Sequence, residues 1–130
     1  MNLVKANITN IQSANNLHIV EFTANEQKLY MMSLELPNIK VGHRVNLTVK
    51  PMNIGIAKRF SGSFSFSNKL FASIKDIEVG QLLCSVLVDF NGTSLESIIT
   101  KRVINDMHLK VDDSVVLFIK ASDISIKEIL

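Results

Sequence analysis

The run Lys120-Ala121-Ser122 places an ammonium group, backbone N–H groups and a hydroxyl side by side after the apolar stretch Val115 to Ile119. That donor set suits a small dianion, which needs both charge compensation and hydrogen bonds once it leaves water. A second candidate surrounds Thr100. It precedes a predicted helical turn as N-cap, an arrangement that leaves backbone N–H groups near Lys101 and Arg102 at the helix start. Lys101 and Arg102 oppose the helix dipole there, and a bound anion would relieve them; two solvated surface charges are the alternative reading. Ser65 and Ser67 offer two further hydroxyls, or else form the solvent-facing side of an alternating strand. Asp123 is the nearest carboxylate and is expected to face away, because an acidic neighbour repels an anion.

Other chemistry has little support. No G-x-S-x-G or glycine-rich phosphate loop occurs, and no nucleophile and base form a recognisable motif, so no catalytic residue is assigned. His18, His43 and His108 are isolated, without the spacing of a zinc site, and no direct metal ligand is expected. Asp112 and Asp113 read as a solvated turn. The one cysteine, Cys84, lies in the apolar run Leu82-Leu83-Cys84-Ser85-Val86, where it serves as a small buried hydrophobe.

The elements that would carry these donors come from a duplication. Asn2, Ala6, Ile8, Ile11, Val20, Asn25 and Leu29 recur 66 residues later as Asn68, Ala72, Ile74, Ile77, Val86, Asn91 and Leu95. Lys40, Val41, Val45, Leu47, Lys50, Ile54 and Ile56 recur 70 residues later as Lys110, Val111, Val115, Leu117, Lys120, Ile124 and Ile126. Four residues were therefore added between the two blocks, most of them before Lys110, where Lys101 to His108 leaves room for a helical turn.

Within each copy the pattern is β. Leu17 to Phe22 and Leu82 to Phe90 are short apolar runs, and Val45-Asn46-Leu47-Thr48-Val49 alternates with period two. Asn91-Gly92 supplies the two positive-φ positions of a tight hairpin. Each copy offers about five strands, and closure of so small a sheet into a barrel removes its open edges. The expected architecture is all-β: two tandem OB-like small barrels with a short helical turn in the second. The modules would span residues 1–58 and 68–130, joined by a linker at 59–67 in which the Phe64 and Phe66 alternation leads into a strand.

Composition agrees with a folded, non-polymeric binder. Hydrophobic residues make up 47% and charged residues 20%, which provides for a buried core. The formal net charge of +2 comes from scattered Lys and Arg, not from a dense tract that would neutralise a nucleic-acid backbone. The expectation is a cytoplasmic, soluble protein without nucleic-acid or membrane partners, since the N-terminus lacks a signal-peptide core and no apolar stretch reaches membrane length.

Taken together, Asn68-Lys69-Leu70-Phe71-Ala72-Ser73-Ile74, the Thr100 loop and Val115-Val116-Leu117-Phe118-Ile119-Lys120-Ala121-Ser122-Asp123 resemble the molbindins, also called Mop or TOBE modules. The resemblance spans the second copy and reaches the first through the repeat. It implies an OB-like fold and molybdate or tungstate as ligand, without a catalytic cofactor. It also implies sites between modules and homo-oligomers, dimers or trimers, that share those sites between chains. Carried over, the family's donors fall on Thr100, Lys120, Ser122, the backbone of Ala121, and Ser65.

Two departures accompany the resemblance. Ser67 stands where the family usually has Arg before the asparagine, and Arg102, Lys101 or Arg59 of a neighbouring module would have to replace that cation. In the first copy Lys50-Pro51-Met52 replaces the Lys-Ala-Ser run, and Pro51 has no N–H while Met52 has no donor. With Ser33 placed opposite Thr100, the first copy keeps Ser33 and Lys50 as a weaker site. The resemblance suggests oxyanion storage, buffering or sensing. A degenerate module acting in oligomerisation or partner binding is the alternative, and single-stranded nucleic-acid binding ranks below both because the Phe residues sit mostly in apolar runs.

Overall fold

The structure, a computed structural model, describes residues 2–130. Among them are ten strands: β1 (Leu3–Ala14), β2 (Leu17–Ala24), β3 (Gln27–Ser33), β4 (Arg44–Thr48), β5 (Gly55–Lys58), β6 (Asn68–Val79), β7 (Leu83–Phe90), β8 (Thr93–Thr100), β9 (Ser114–Ile119) and β10 (Ser125–Ile129). A single α-helix, α1 (Lys101–Met107), follows β8, and 3-10 turns at Pro51–Asn53 and Ala121–Asp123 precede β5 and β10.

The strands follow from alternation. Along β1, Val4, Ala6 and Ile8 are buried while Leu3, Lys5 and Asn7 are exposed, the period-two pattern of a sheet with one dry face. Asn91-Gly92 makes the two-residue turn expected of it, with φ of 47° and 102°, and Asn25-Glu26 repeats the turn in the first copy.

The duplication is visible in detail. Each copy's first strand is bulged at the same place, between Ile8 and Asn10 in β1 and between Ile74 and Asp76 in β6. In both copies the residue before the bulge bonds the same turn, Ile8 N–H to the His43 carbonyl and Ile74 N–H to the Asp113 carbonyl, each at 2.9 Å.

The sheets, however, do not follow the sequence copies to their ends. One sheet has the order β10-β4-β1-β2-β3 and the other β5-β9-β6-β7-β8, with every pair antiparallel. Each copy thus gives its last strand to the other copy's sheet: Gly55 pairs with Phe118 and Lys58 with Val115, while Ser125 pairs with Thr48 and Ile129 with Val45. The expectation that each copy completes its own five-stranded unit is corrected by this exchange.

The recurring asparagines bind the halves together. The Asn68 side chain accepts from the Tyr30 N–H at 2.7 Å and donates to the Tyr30 carbonyl at 2.9 Å. Asn2 does the same with Glu96, at 2.8 and 2.9 Å. Asn25 donates to the Phe90 carbonyl, and Asn91 to the Asn25 carbonyl. Both sheets feed one continuous core that includes Val4, Phe22, Leu47, Leu70, Phe90 and Leu117.

The exchanged strand β5 is also pinned electrostatically. Lys58 Nζ lies 3.2 Å from Asp113 and donates to the His108 carbonyl at 2.9 Å, with only 18% and 12% of the two charged side chains exposed. Burial pushes the Asp113 carboxyl up, but the Lys110 N–H and the Lys58 and Lys110 charges outweigh it and hold the group below the ordinary aspartate value.

The linker differs from expectation. Phe64 and Phe66 do not lead a strand, which begins only at Asn68. They gather with Phe60 on the buried Phe118 instead, ring against ring, with Phe60 and Phe66 half-buried and Phe64 still 45% exposed.

Candidate functional site

Thr100 ends β8 and caps α1, its hydroxyl accepting from the Val103 N–H at 3.3 Å. The local sequence dictates this, since a β-region threonine before a helix satisfies one of the N–H groups left free at its start. The free donors expected beside it are partly taken. The Lys101 N–H donates to the Leu82 carbonyl at 2.8 Å, which ties the helix start to the loop before β7. Arg102 leans toward Asp106 at 3.8 Å, with both side chains largely exposed. Thr100, Lys101 and Arg102 line an open groove of about 510 Å³ with Gln81, Leu82 and Asp106.

Lys120 and Ser122 lie elsewhere on the chain. Lys120 is exposed at the end of β9, and Ala121–Asp123 form a 3-10 turn closed by a hydrogen bond from the Asp123 N–H to the Lys120 carbonyl at 3.0 Å. This turn leads into β10, so the strand exchange carries it to the first copy's sheet. There Ser122 lines a groove of about 440 Å³ with Ser33, Glu35 and Ser125 over an apolar floor that includes Met31 and Ile124. The groove lies between β3 and β10, the two edge strands of that sheet. A second groove of about 290 Å³ joins Ser122 and Ser125 to Lys50, Asn53 and Asp123.

The sequence-derived donors are therefore regrouped. Ser122 meets Ser33 and Lys50 of the first copy, whereas Thr100 with Lys101 and Arg102 occupies a separate groove. Asp123, the carboxylate expected to face away, is among the residues that line the groove of Ser122 and Lys50. The Ser33 hydroxyl donates to the Glu35 carbonyl and accepts from the Glu35 N–H, which uses much of its capacity locally.

Ser33 is also one residue out of place. It pairs with His18, whose counterpart Cys84 pairs with Ile99, while Thr100 pairs with Leu83. Ser65 and Ser67 are exposed in the irregular segment before β6. Ser125, which lines both Ser122 grooves, is not among the expected donors; its position two residues after the turn that carries Ser122, at the start of β10, is the signal that could have found it.

Lys120, Ser122 and the backbone N–H groups of the turn are groups whose chemistry suits an anion, a positive charge beside neutral donors. Among the described residues, no group of three His, Cys, Asp or Glu side chains could hold a metal ion, and no helix is long and apolar enough to cross a membrane.

Residues 65–126 match the TOBE domain family. Over 84 residues, 64% of the chain, the sequence is 32% identical to the molybdenum import ATP-binding protein ModC of Brucella abortus (strain 2308), and equally to that of Brucella suis biovar 1. The match covers 23% of those relatives, so the chain spans about a quarter of their length. A solved structure of the cytoplasmic molybdate-binding protein ModG, in a form with molybdate bound, superposes with a TM-score of 0.91 at 25% identity, covering 96% of this chain and 94% of that one. The family match covers the second copy and the structural likeness covers both, in agreement with the duplicated sheets: residues 65–126 are similar to TOBE domains, and the chain along nearly its whole length is similar in fold to ModG.

Proposed function

We propose that this protein binds molybdate or tungstate, two dianions of equal charge and nearly equal shape, at sites shared between modules, and so stores, buffers or senses the oxyanion in the cytoplasm. It acts as a binding protein and not as an enzyme. The observation that carries the reading is the likeness to molybdate-bound ModG along nearly the whole chain. The chemistry of Lys120, Ala121 and Ser122 supports it, since these residues combine a positive charge with neutral donors.

Thr100 and Ser122 line separate grooves of one chain. A site that uses both would draw them from different chains, which favours a homo-oligomer, a dimer or a trimer. Titration calorimetry with molybdate, tungstate and sulfate tests the reading. Heat is expected with the first two, and its absence with both up to about 1 mM, where binding is worth only about 4 kcal/mol, would sink it.

A second reading has specific support. Asp123 shares the groove of Ser122 and Lys50, and the Lys101 N–H is already bonded. These features suit a module that has lost its ligand and serves in oligomerisation or partner binding. The same titration separates the two, because only the first predicts heat.

A further inference from the structure

Beside the turn that carries Lys120 lies a cluster of four phenylalanines. Phe64 packs on Phe118 with ring centroids 4.4 Å apart and meets Phe66 edge-on at 5.0 Å. Phe66 in turn meets Phe118 at 6.3 Å with the rings nearly perpendicular. Phe118 is buried on β9, two residues before Lys120, so the strand that delivers the lysine also anchors the cluster. The Lys120 ammonium lies 5.4 Å from the centroid of the Phe66 ring, within the range over which an aromatic face attracts a cation.

We propose that Phe66 is a positioning residue for oxyanion binding, holding the Lys120 ammonium over its ring so that the charge is ordered before the ligand arrives. This rests on the oxyanion reading above. An exposed lysine samples many rotamers, and fixing one of them opposes binding. A carboxylate could fix it too, but would neutralise the charge that an anion needs. A ring face holds the cation without cancelling that charge, and the edge-on contacts with Phe64 and Phe118 hold the ring. The connecting segment thus contributes to the site through a phenylalanine, beyond the hydroxyls of Ser65 and Ser67.

The test is a double-mutant cycle on the full chain, titrated with molybdate and with tungstate, using Phe66→Leu, Phe66→Tyr, Lys120→Ala and the Phe66→Leu/Lys120→Ala pair. Thermal unfolding of each variant establishes that it folds. Phe66→Leu should weaken binding about threefold while Lys120 is present and leave it unchanged once Lys120 is alanine, and Phe66→Tyr should restore parental affinity. Equal losses in both backgrounds, or a tyrosine variant as weak as the leucine one, overturn the positioning role alone. A parent protein that binds neither oxyanion overturns both this role and the oxyanion reading.

Discussion

Lys120 and Lys50 occupy equivalent places in the repeat, 70 residues apart, yet the residues that follow make them unequal. After Lys120 come an N–H at Ala121 and a hydroxyl at Ser122; after Lys50 come Pro51, which has no N–H, and Met52. Lys120→Ala and Ser122→Ala should therefore each weaken molybdate binding, the lysine by about tenfold if its hydrogen bond is charge-assisted, whereas Lys50→Ala should change it little. Calorimetry on the three variants decides, and equal losses at the two lysines would remove the asymmetry. The turn was legible in sequence as a candidate because ammonium, N–H and hydroxyl are adjacent in the chain, and the structure forms a turn there. Sequence alone misplaced Ser33 by one residue, since matching hydroxyl to hydroxyl ignored the strand pairing.

At the level of elements, the unread feature was the destination of β5 and β10. Both strands follow a 3-10 turn and carry short apolar patterns, Gly55-Ile56-Ala57-Lys58 and Ser125-Ile126-Lys127-Glu128-Ile129, that would satisfy either sheet. The duplication and its register, by contrast, were legible, because a constant spacing of identities carries into paired strands. What distinguishes the two destinations is local. Lys58 meets Asp113 and the His108 carbonyl in the second copy, whereas the first copy has His43 at the place of Asp113.

The Asp113 carboxyl is held below its ordinary value of 3.8, so its charged form contributes stability above that pH, and the contribution is lost as pH falls through the lowered folded value. Thermal melts of the parent and of Asp113→Asn should differ at neutral pH and converge as the pH drops below about 3.8. A constant gap at every pH would mean that the pair contributes no charge-dependent stability. Removal of residues 125–130 tests the exchange itself. Hydrogen exchange should accelerate in β4, left as an edge strand, while β9 stays protected between β5 and β6. Acceleration in β9 instead would contradict the exchanged order.

For the whole molecule, exchange and the asparagine bridges make the two copies a single folding unit: the core is shared, and Asn2 and Asn68 each satisfy backbone groups of the opposite half. Ligand binding cannot then be what joins the copies, because they are joined already. If the ligand stabilises an interface, that interface lies between chains, where the groove of Thr100 on one molecule could face the turn of Lys120 on another. A ligand bound only by the assembled form stabilises it by mass action, by about 2.7 kcal/mol per site at a hundredfold excess over Kd, which raises the association constant about a hundredfold. Sedimentation at micromolar protein should therefore move toward dimers or trimers when molybdate or tungstate is added, with sulfate as the control. If calorimetry records binding while the sedimentation coefficient stays the same at all protein concentrations, the ligand is not assembling the chains. The groove of Ser33 and Ser122 within one chain would then be the place to look for it.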